Sequence, residues 1–397
     1  MYTDHTLIIK ELERSIKFHN LNSILGFLPK GSYLIGGYIR DIILRRETEE
    51  VDFDIVVPLN AIQIGKNIAN NIGSKFIILD EKREVIRIFL NHIYIDIANQ
   101  ISSTIEGDLS KRDLSINSIA FLFEKNCLFD PFNGLKDLEF SLLRTYSEEN
   151  LLDDPLRILR CFRFFSELNF KIDPKLINFI KKNKGKLYFV APERINYEIK
   201  KIVNGSNALE AIILLRKFNI FGSSDLYKDS FFLDLQKINF SEINKNEKEK
   251  FLPLFLIGQI LDEVSLEKLK FSKAEIAQIK LLRKWHKKNI ENLNESDLFE
   301  LHQELEIFLP SFIFYLPHNL RIDWLKRWRD KDDKLFHPTH LINGDDIKKN
   351  LKIKDGPFLG ELLHYLSKEL AYKRLNNFDE AIYKAKQWIE QNAPKCD

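Results

Sequence analysis

Two carboxylates one residue apart, Asp52-Phe53-Asp54, follow a glycine pair and an arginine in Gly36-Gly37-Tyr38-Ile39-Arg40-Asp41. On a strand, residues two apart point the same way, so Asp52 and Asp54 can hold Mg²⁺ between them. Phosphoryl transfer needs such an ion to bring an attacking oxygen to phosphorus and to neutralise the leaving pyrophosphate. Backbone N–H groups of a glycine pair approach a triphosphate with no Cβ in the way. A helix starting there aims its positive end at the same place, and Arg40 can add a charge-assisted contact. Alone, each piece has a plainer account: a D-x-D on a solvated strand face, a G-G in a turn. Their order and spacing argue for the chemistry. Asp41 is either part of it or a structural carboxylate of the helix turn.

Asp96, in Ile93-Tyr94-Ile95-Asp96-Ile97-Ala98, lies opposite Ile95 and Ile97 and is a third catalytic candidate, or an ordinary strand aspartate. Lys111-Arg112-Asp113-Leu114-Ser115-Ile116-Asn117 offers Arg112, Asp113 and Asn117 to a ribose and its phosphates, or forms a helix cap with an ion pair. Asp153-Asp154-Pro155-Leu156-Arg157 is expected to open a helix, with Pro155 in its first turn. Asp154 and Arg157 then share a face. An arginine held by a carboxylate presents donors and acceptors that match cytosine or adenine and mismatch guanine or uracil; an N-cap with an i,i+3 ion pair is the alternative. Arg160 and Arg163 continue that helix and can reach phosphate or close internal salt bridges.

These residues need a strand–turn–helix and further strands to place them, and the flanking sequence provides them. Tyr33-Leu34-Ile35 reads as a strand into the glycine turn, and Tyr38 to Arg46 has helical spacing. Val51 to Val57 alternates, with Val51, Phe53, Ile55 and Val57 on one face. Phe76 to Leu79, Val85 to Leu90 and Ile93 to Ala98 are further strands. From Leu151 the β signals fade, and Ile158, Leu159, Phe162 and Phe165 recur at helical intervals. Gly222-Ser223-Ser224 and Ser241 to Lys250 read as polar connectors. The expected class is α+β: an α/β head followed by an all-α remainder.

The 397 residues suggest several domains, and 44% hydrophobic residues supply their cores. A net charge of +2 removes any global electrostatic case for nucleic-acid binding, so basic surface must be local. Two clusters stand out: Arg283-Lys284-Trp285-His286-Lys287-Lys288 and Lys326-Arg327-Trp328-Arg329. Lys284, Lys287, Lys288, Lys326, Arg327 and Arg329 are the candidate RNA contacts, with a solvated helix face and an inward Trp as the alternative. Cys127, Cys161 and Cys396 have no metal-ligand spacing. The N-terminal residues do not read as a signal peptide, and no apolar run is long enough to span a bilayer. A cytoplasmic protein in a reducing compartment with no membrane association is expected.

The segments Leu34 to Asp41, Asp52 to Asp54, Lys111 to Asn117, Asp153 to Arg160 and Glu193-Arg194-Ile195-Asn196-Tyr197-Glu198 resemble, in order, the class II tRNA nucleotidyltransferases and bacterial poly(A) polymerases. A weaker likeness continues through Leu341 to Asp346 and Gly356 to Gly360. The resemblance implies a polymerase-β-like catalytic head (residues 1–145), a base-recognising neck (146–220) and a tRNA-binding body and tail (221–397). It implies addition of C and/or A to a tRNA 3′ end from CTP and/or ATP with Mg²⁺. Asp52 and Asp54 would hold metal; Gly36, Gly37 and Arg40 the triphosphate; Arg112, Asp113 and Asn117 the ribose. Asp154 and Arg157 would template the base, and Glu193, Arg194 and Glu198 would brace that helix. The family has Arg where Lys111 stands and Glu where Asp153 stands, a lost fork and a shorter reach. It keeps a flexible loop where Leu79 to Arg87 lies, affecting the switch from C to A. The basic stretch expected of the poly(A) branch before the Asp96 strand is missing. A non-catalytic RNA-binding protein is the competing class; loss of Asp52 or Asp54 would have signalled it.

Overall fold

A computed structural model describes residues 4–19, 21–46, 51–90, 92–222, 232–238, 240–288, 290–339 and 341–392. The chain divides into two compact units, Met1–Ala211 and Ile212–Asp397.

In the first unit, seven strands among the described residues form one sheet. They are β1 (Tyr33–Ile35), β2 (Val51–Val57), β3 (Lys75–Asp80), β4 (Val85–Leu90), β5 (Ile93–Asn99), β6 (Ala120–Leu122) and β7 (Cys127–Phe129). The order is β3-β4-β5-β2-β1-β6-β7. The β2–β5 pair is parallel, and every other neighbouring pair is antiparallel. The expected alternation of β2 holds: Phe53, Ile55 and Val57 are at most 1% exposed, whereas Asp52 is exposed and Asp54 half-buried. Phe53 packs against Tyr38 of the Gly37–Leu44 helix, ring centroids 4.2 Å apart. The Ala61–Ile72 helix covers β4 on the side away from the carboxylates. It approaches so closely that a Cβ on Gly65 would collide with Ile86.

Beyond the sheet the unit is helical, apart from the short pair Leu142–Leu143 and Lys171–Ile172. The Arg157–Leu168 helix packs on Pro192–Val203; the first buries Ile158, Leu159 and Phe162, the second Ile195, Ile199 and Ile202.

The second unit is all α among the described residues. One expectation fails here. Ser241 to Lys250 is not a connector: the Lys245–Gly258 helix begins inside it, capped by Asn244 and Glu247, each accepting from the other's backbone. Asn244 and Glu247 spell a capping box that the lysine-rich composition obscured. Ser223 and Ser224 lie outside the described residues. No helix among the described residues is long and apolar enough to cross a membrane. Cys127 and Cys161 are free thiols, and Cys396 lies outside the described residues.

Candidate active site

The site is built where β1 turns into its helix. Gly36 adopts φ 84°, a conformation that favours glycine, and its N–H donates to Ile119 O at 3.2 Å. A Cβ there would collide with Arg112 Nη1 and come within 3.2 Å of Asp54 Oδ2. The missing side chain of Gly36 is therefore what lets Arg112 approach Asp54, with Nη2 at 3.9 Å from Oδ2.

Asp52 and Asp54 lie on the open face of β2, and the register sets Asp54 directly beside Asp96 of β5. Partial burial in the cleft raises the Asp54 pKa, Arg112 opposes it, and Asp96 and Asp52 push it up further. The carboxylates thus carry negative charge that Arg112 does not offset. Among the described residues no group of three or more metal-ligating side chains gathers. Two carboxylates suffice for a cation that draws its other ligands from phosphates and water.

Asp96 is held by a residue that sequence reasoning missed. Arg87 of β4 grips it with both prongs, Nε to Oδ1 at 2.7 Å and Nη2 to Oδ2 at 2.8 Å. The β4 alternation, which sets Arg87 opposite buried Ile86 and Ile88, was the available signal.

The ribose candidates form an internal lattice. Asp113 is 3% exposed and accepts from Arg160 Nε at 2.6 Å, Asn117 Nδ2 at 2.9 Å and its neighbour Leu114 N at 2.9 Å. Burial would raise its pKa, but Arg160 and these hydrogen bonds outweigh it and hold the carboxyl well below the usual range. Asn117 in turn accepts from Arg40 Nη1 at 2.7 Å, while Asp41 takes Arg40 Nε and Nη2. Asp41 is therefore committed to Arg40. Arg40, Arg160 and Arg163 all stand over the Phe164 ring, 5.1, 5.4 and 4.5 Å from its centroid.

The expected Asp154–Arg157 pair is not formed. The helix starts at Arg157, and Asp154 is extended, with φ −139° and ψ 100°. The cause is Pro155, whose ring disfavours a helical residue before it. Asp154 instead takes Arg194 Nη2 at 2.6 Å, and Arg157 Nη1 donates to Asn150 O at 2.6 Å. Of the expected braces, Arg194 thus binds Asp154 directly, and Glu198 accepts from Arg163 Nη1 at 3.1 Å.

One cleft brings these groups together: Asp54, Asp96, Arg112, Asp154, Arg157 and Arg194 line it. An adjoining cleft holds Gly37, Arg40, Asp52, Asn117 and Arg163, and shares Asp54 and Arg160. The segment Leu79 to Arg87, where the family keeps a flexible loop, is a strand, a short turn and a strand. Leu79 and Asp80 end β3, Val85 starts β4, and Asp80 Oδ1 closes the turn by accepting from Lys82 N and Arg83 N at 2.9 and 3.0 Å.

In the second unit, much of the expected basic surface is already neutralised. Lys284 Nζ sits 2.7 Å from Glu304, which also accepts from the fully buried Trp285. Arg327 pairs with Asp333 at 2.8 Å, and Arg329 with Glu247 at 2.6 Å. Lys287, Lys288 and Lys326 are exposed, with Lys288 over the Trp285 ring at 4.2 Å.

A glycine turn feeding a helix, beside paired carboxylates on a mixed sheet, defines a nucleotidyltransferase. Family models agree: a poly(A) polymerase head domain matches residues 32–144, the probable RNA- and SrmB-binding site of polymerase A matches 169–223, and a putative tRNA nucleotidyltransferase domain 2 matches 245–385. The chain is a member of the tRNA nucleotidyltransferase and poly(A) polymerase family. It is 29% identical to the CC-adding tRNA nucleotidyltransferase of Synechocystis sp., covering 91% of this chain and 95% of that one. It is 27% identical to the CCA-adding enzyme of Ligilactobacillus salivarius, covering 91% and 93%. Its fold matches the Thermotoga maritima CCA-adding enzyme solved with tRNA, with a TM-score of 0.69, 22% identity and coverage of 90% and 91%.

Proposed function

We propose that the chain adds C and/or A to the 3′ end of tRNA without a nucleic-acid template, transferring nucleotides from CTP and/or ATP and releasing pyrophosphate. The observation that carries the reading is the Asp52–Asp54 pair on β2, next to the Gly36 turn, in a cleft shared with Asp154, Arg157 and Arg194.

Asp52 and Asp54 suit Mg²⁺, which takes one or two carboxylates plus substrate phosphates; burial first, and then Asp96 and Asp52, raise the Asp54 pKa, and a cation would favour its charged form. Bound there, the ion supplies charge neutralisation at the reacting phosphate and a more acidic RNA 3′-hydroxyl. The Gly36 and Gly37 backbone, Arg40 and Arg112 cradle the triphosphate. Asp113 and Asn117 act by fixing Arg160 and Arg40 rather than by offering free acceptors. Asp154 and Arg157 read the base edge, each oriented by a separate partner. Asp96, oriented by Arg87, faces the attacking hydroxyl. The division of labour is catalysis in 1–145, base reading in 146–220 and tRNA binding in 221–397, in the cytoplasm where tRNA matures.

A narrower reading, addition of CC alone, draws support from the closed Asp80–Val85 turn and from the likeness to a CC-adding relative. One experiment separates the outcomes. tRNA transcripts ending before CCA, after C and after CC are offered CTP, ATP or both. Extension of the first two but not the third supports the CC reading; extension of all three supports full CCA addition. Extension of none, with Mg²⁺ present, rejects the function.

A further inference from the structure

Cross-strand partners share a face of the sheet. Asp52 is registered against Tyr94, and Tyr94 against Phe89; Asp54 is registered against Asp96, Asp96 against Arg87, and Arg87 against Ile77. The catalytic face therefore continues from the carboxylates toward the β3 edge as a surface of aromatic and apolar groups. Tyr94 and Phe89 stand edge to face, centroids 5.7 Å apart at 88°, and Arg87 lies 5.3 Å from the Tyr94 centroid. Phe89 is 39% and Ile77 49% exposed, a large exposure for such groups beside a catalytic centre.

The direction of the reaction says what belongs there. In-line displacement puts the entering oxygen opposite the leaving pyrophosphate. The pyrophosphate cradle, Gly36 and Gly37, lies on the β1 side of β2, so the RNA 3′-hydroxyl comes from the β5–β4 side. We propose that Tyr94 and Phe89 form the subsite for the 3′-terminal base of the RNA being extended, with Arg87 beside them facing its phosphate. Resting on the function proposed above, this adds the place of the acceptor. Stacking tolerates any base, which suits an RNA whose own 3′-terminal base gives way to C at the first addition. A purine-specific pocket would reject the RNA once the first C is added.

The test uses the full chain, CTP with Mg²⁺, and two tRNA transcripts ending before CCA, one intact and one abasic at its 3′-terminal nucleotide. Tyr94→Ala is expected to raise the KM for the intact transcript about ten-fold, the worth of one stacked base, and to leave the KM for CTP unchanged. Tyr94→Phe, which keeps the ring, should match wild type. Wild type should handle the abasic transcript as poorly as Tyr94→Ala handles the intact one, and the variant should be indifferent to base loss. Phe89→Ala, at an exposed position, repeats the test with less risk to folding. Base loss and ring loss that multiply independently, or a shift in the KM for CTP instead, overturn the subsite. A Tyr94→Ala chain that has become dimeric or monomeric with unchanged RNA kinetics shows that the patch joins copies of the chain, and overturns it too. Wild type that extends no intact transcript removes the function on which the subsite rests, and the subsite with it.

Discussion

Arg194 Nη2 lies 2.6 Å from Asp154 Oδ2, so the carboxylate proposed to read the base is oriented from a different helix than Arg157. The pair is partly exposed, so its contribution to stability is small. Its contribution is direction: without Arg194, Asp154 Oδ2 loses its charged partner, while Oδ1 keeps the Leu156 N–H at 3.2 Å. Arg194→Ala should therefore leave the melting temperature nearly unchanged while UTP and GTP are incorporated relatively better, by about 1–3 kcal/mol per lost base-edge contact. Misincorporation ratios at a single position measure this. Equal loss with all four nucleotides would make Arg194 a general binding residue.

Metal positioning gives a sharper outcome. Asp52→Ala or Asp54→Ala should cut nucleotide addition by several orders of magnitude with every transcript, because the ion supplies most of the charge stabilisation. Both variants should fold, since Asp52 is exposed and Asp54 sits in the open cleft. Near-normal single-turnover rates in both would place the chemistry elsewhere.

Gly36 couples backbone and charge. Gly36→Ala forces a side chain into φ 84°, ψ −136°, a strain of about 1–3 kcal/mol, and pushes Arg112 off Asp54. The expected result is lower thermal stability together with a raised KM for nucleotide. A variant with normal nucleotide affinity would show that Arg112 does not need that approach.

What the sequence disclosed and what it hid follow physical lines. The β2 face was legible because alternation declares both sides at once, and Asp52 and Asp54 emerged where Phe53 and Ile55 required. Local rules also held the missed answers: the residue-before-proline effect at Asp154 and the capping box at Asn244 were written in the chain but were outvoted by helical spacing and by lysine-rich composition. The partners of Asp154, Lys284 and Arg329 were not legible at all. Arg194, Glu304 and Glu247 stand far along the chain from them, and pairing across that distance depends on packing that no local pattern encodes.

His302 offers a test of the second unit by pH. It is 2% exposed, between Trp324 and Phe336, and neither ring nitrogen has a hydrogen-bond partner among the described residues. Burial, aided by Arg327, lowers its pKa to about 3. The unfolded chain takes up a proton near pH 6.5 that the folded chain refuses until about pH 3. Stability is therefore full above the unfolded value and is lost as pH falls between the two, by about 1.4 kcal/mol per unit. His302→Leu should remove this part of the acid sensitivity. Urea midpoints of both proteins between neutral and mildly acidic pH check it, and parallel pH profiles would refute it.

The basic clusters divide into paired and unpaired charges, and the pairing predicts which substitutions touch RNA. Arg329 donates to Glu247 through two nitrogens and to Glu242 O, and the Glu247 carboxylate also accepts from Asn244 N at the start of the Lys245–Gly258 helix. Arg329→Ala therefore removes a tie between two helices and should lower the melting temperature, whatever its effect on RNA. Lys284→Ala likewise frees Glu304, which also holds Trp285. Lys287, Lys288 and Lys326 close no salt bridge among the described residues, Lys288 acting on Glu304 at longer range. Neutralising those three together should leave stability unchanged. If this surface receives tRNA, the salt dependence of binding should flatten by about one unit per lost phosphate contact. Extension of a saturating acceptor-stem minihelix should continue at its normal rate, because the carboxylates are untouched. An unchanged salt slope in the triple variant would make both clusters ordinary helix surface and move the tRNA-binding face elsewhere.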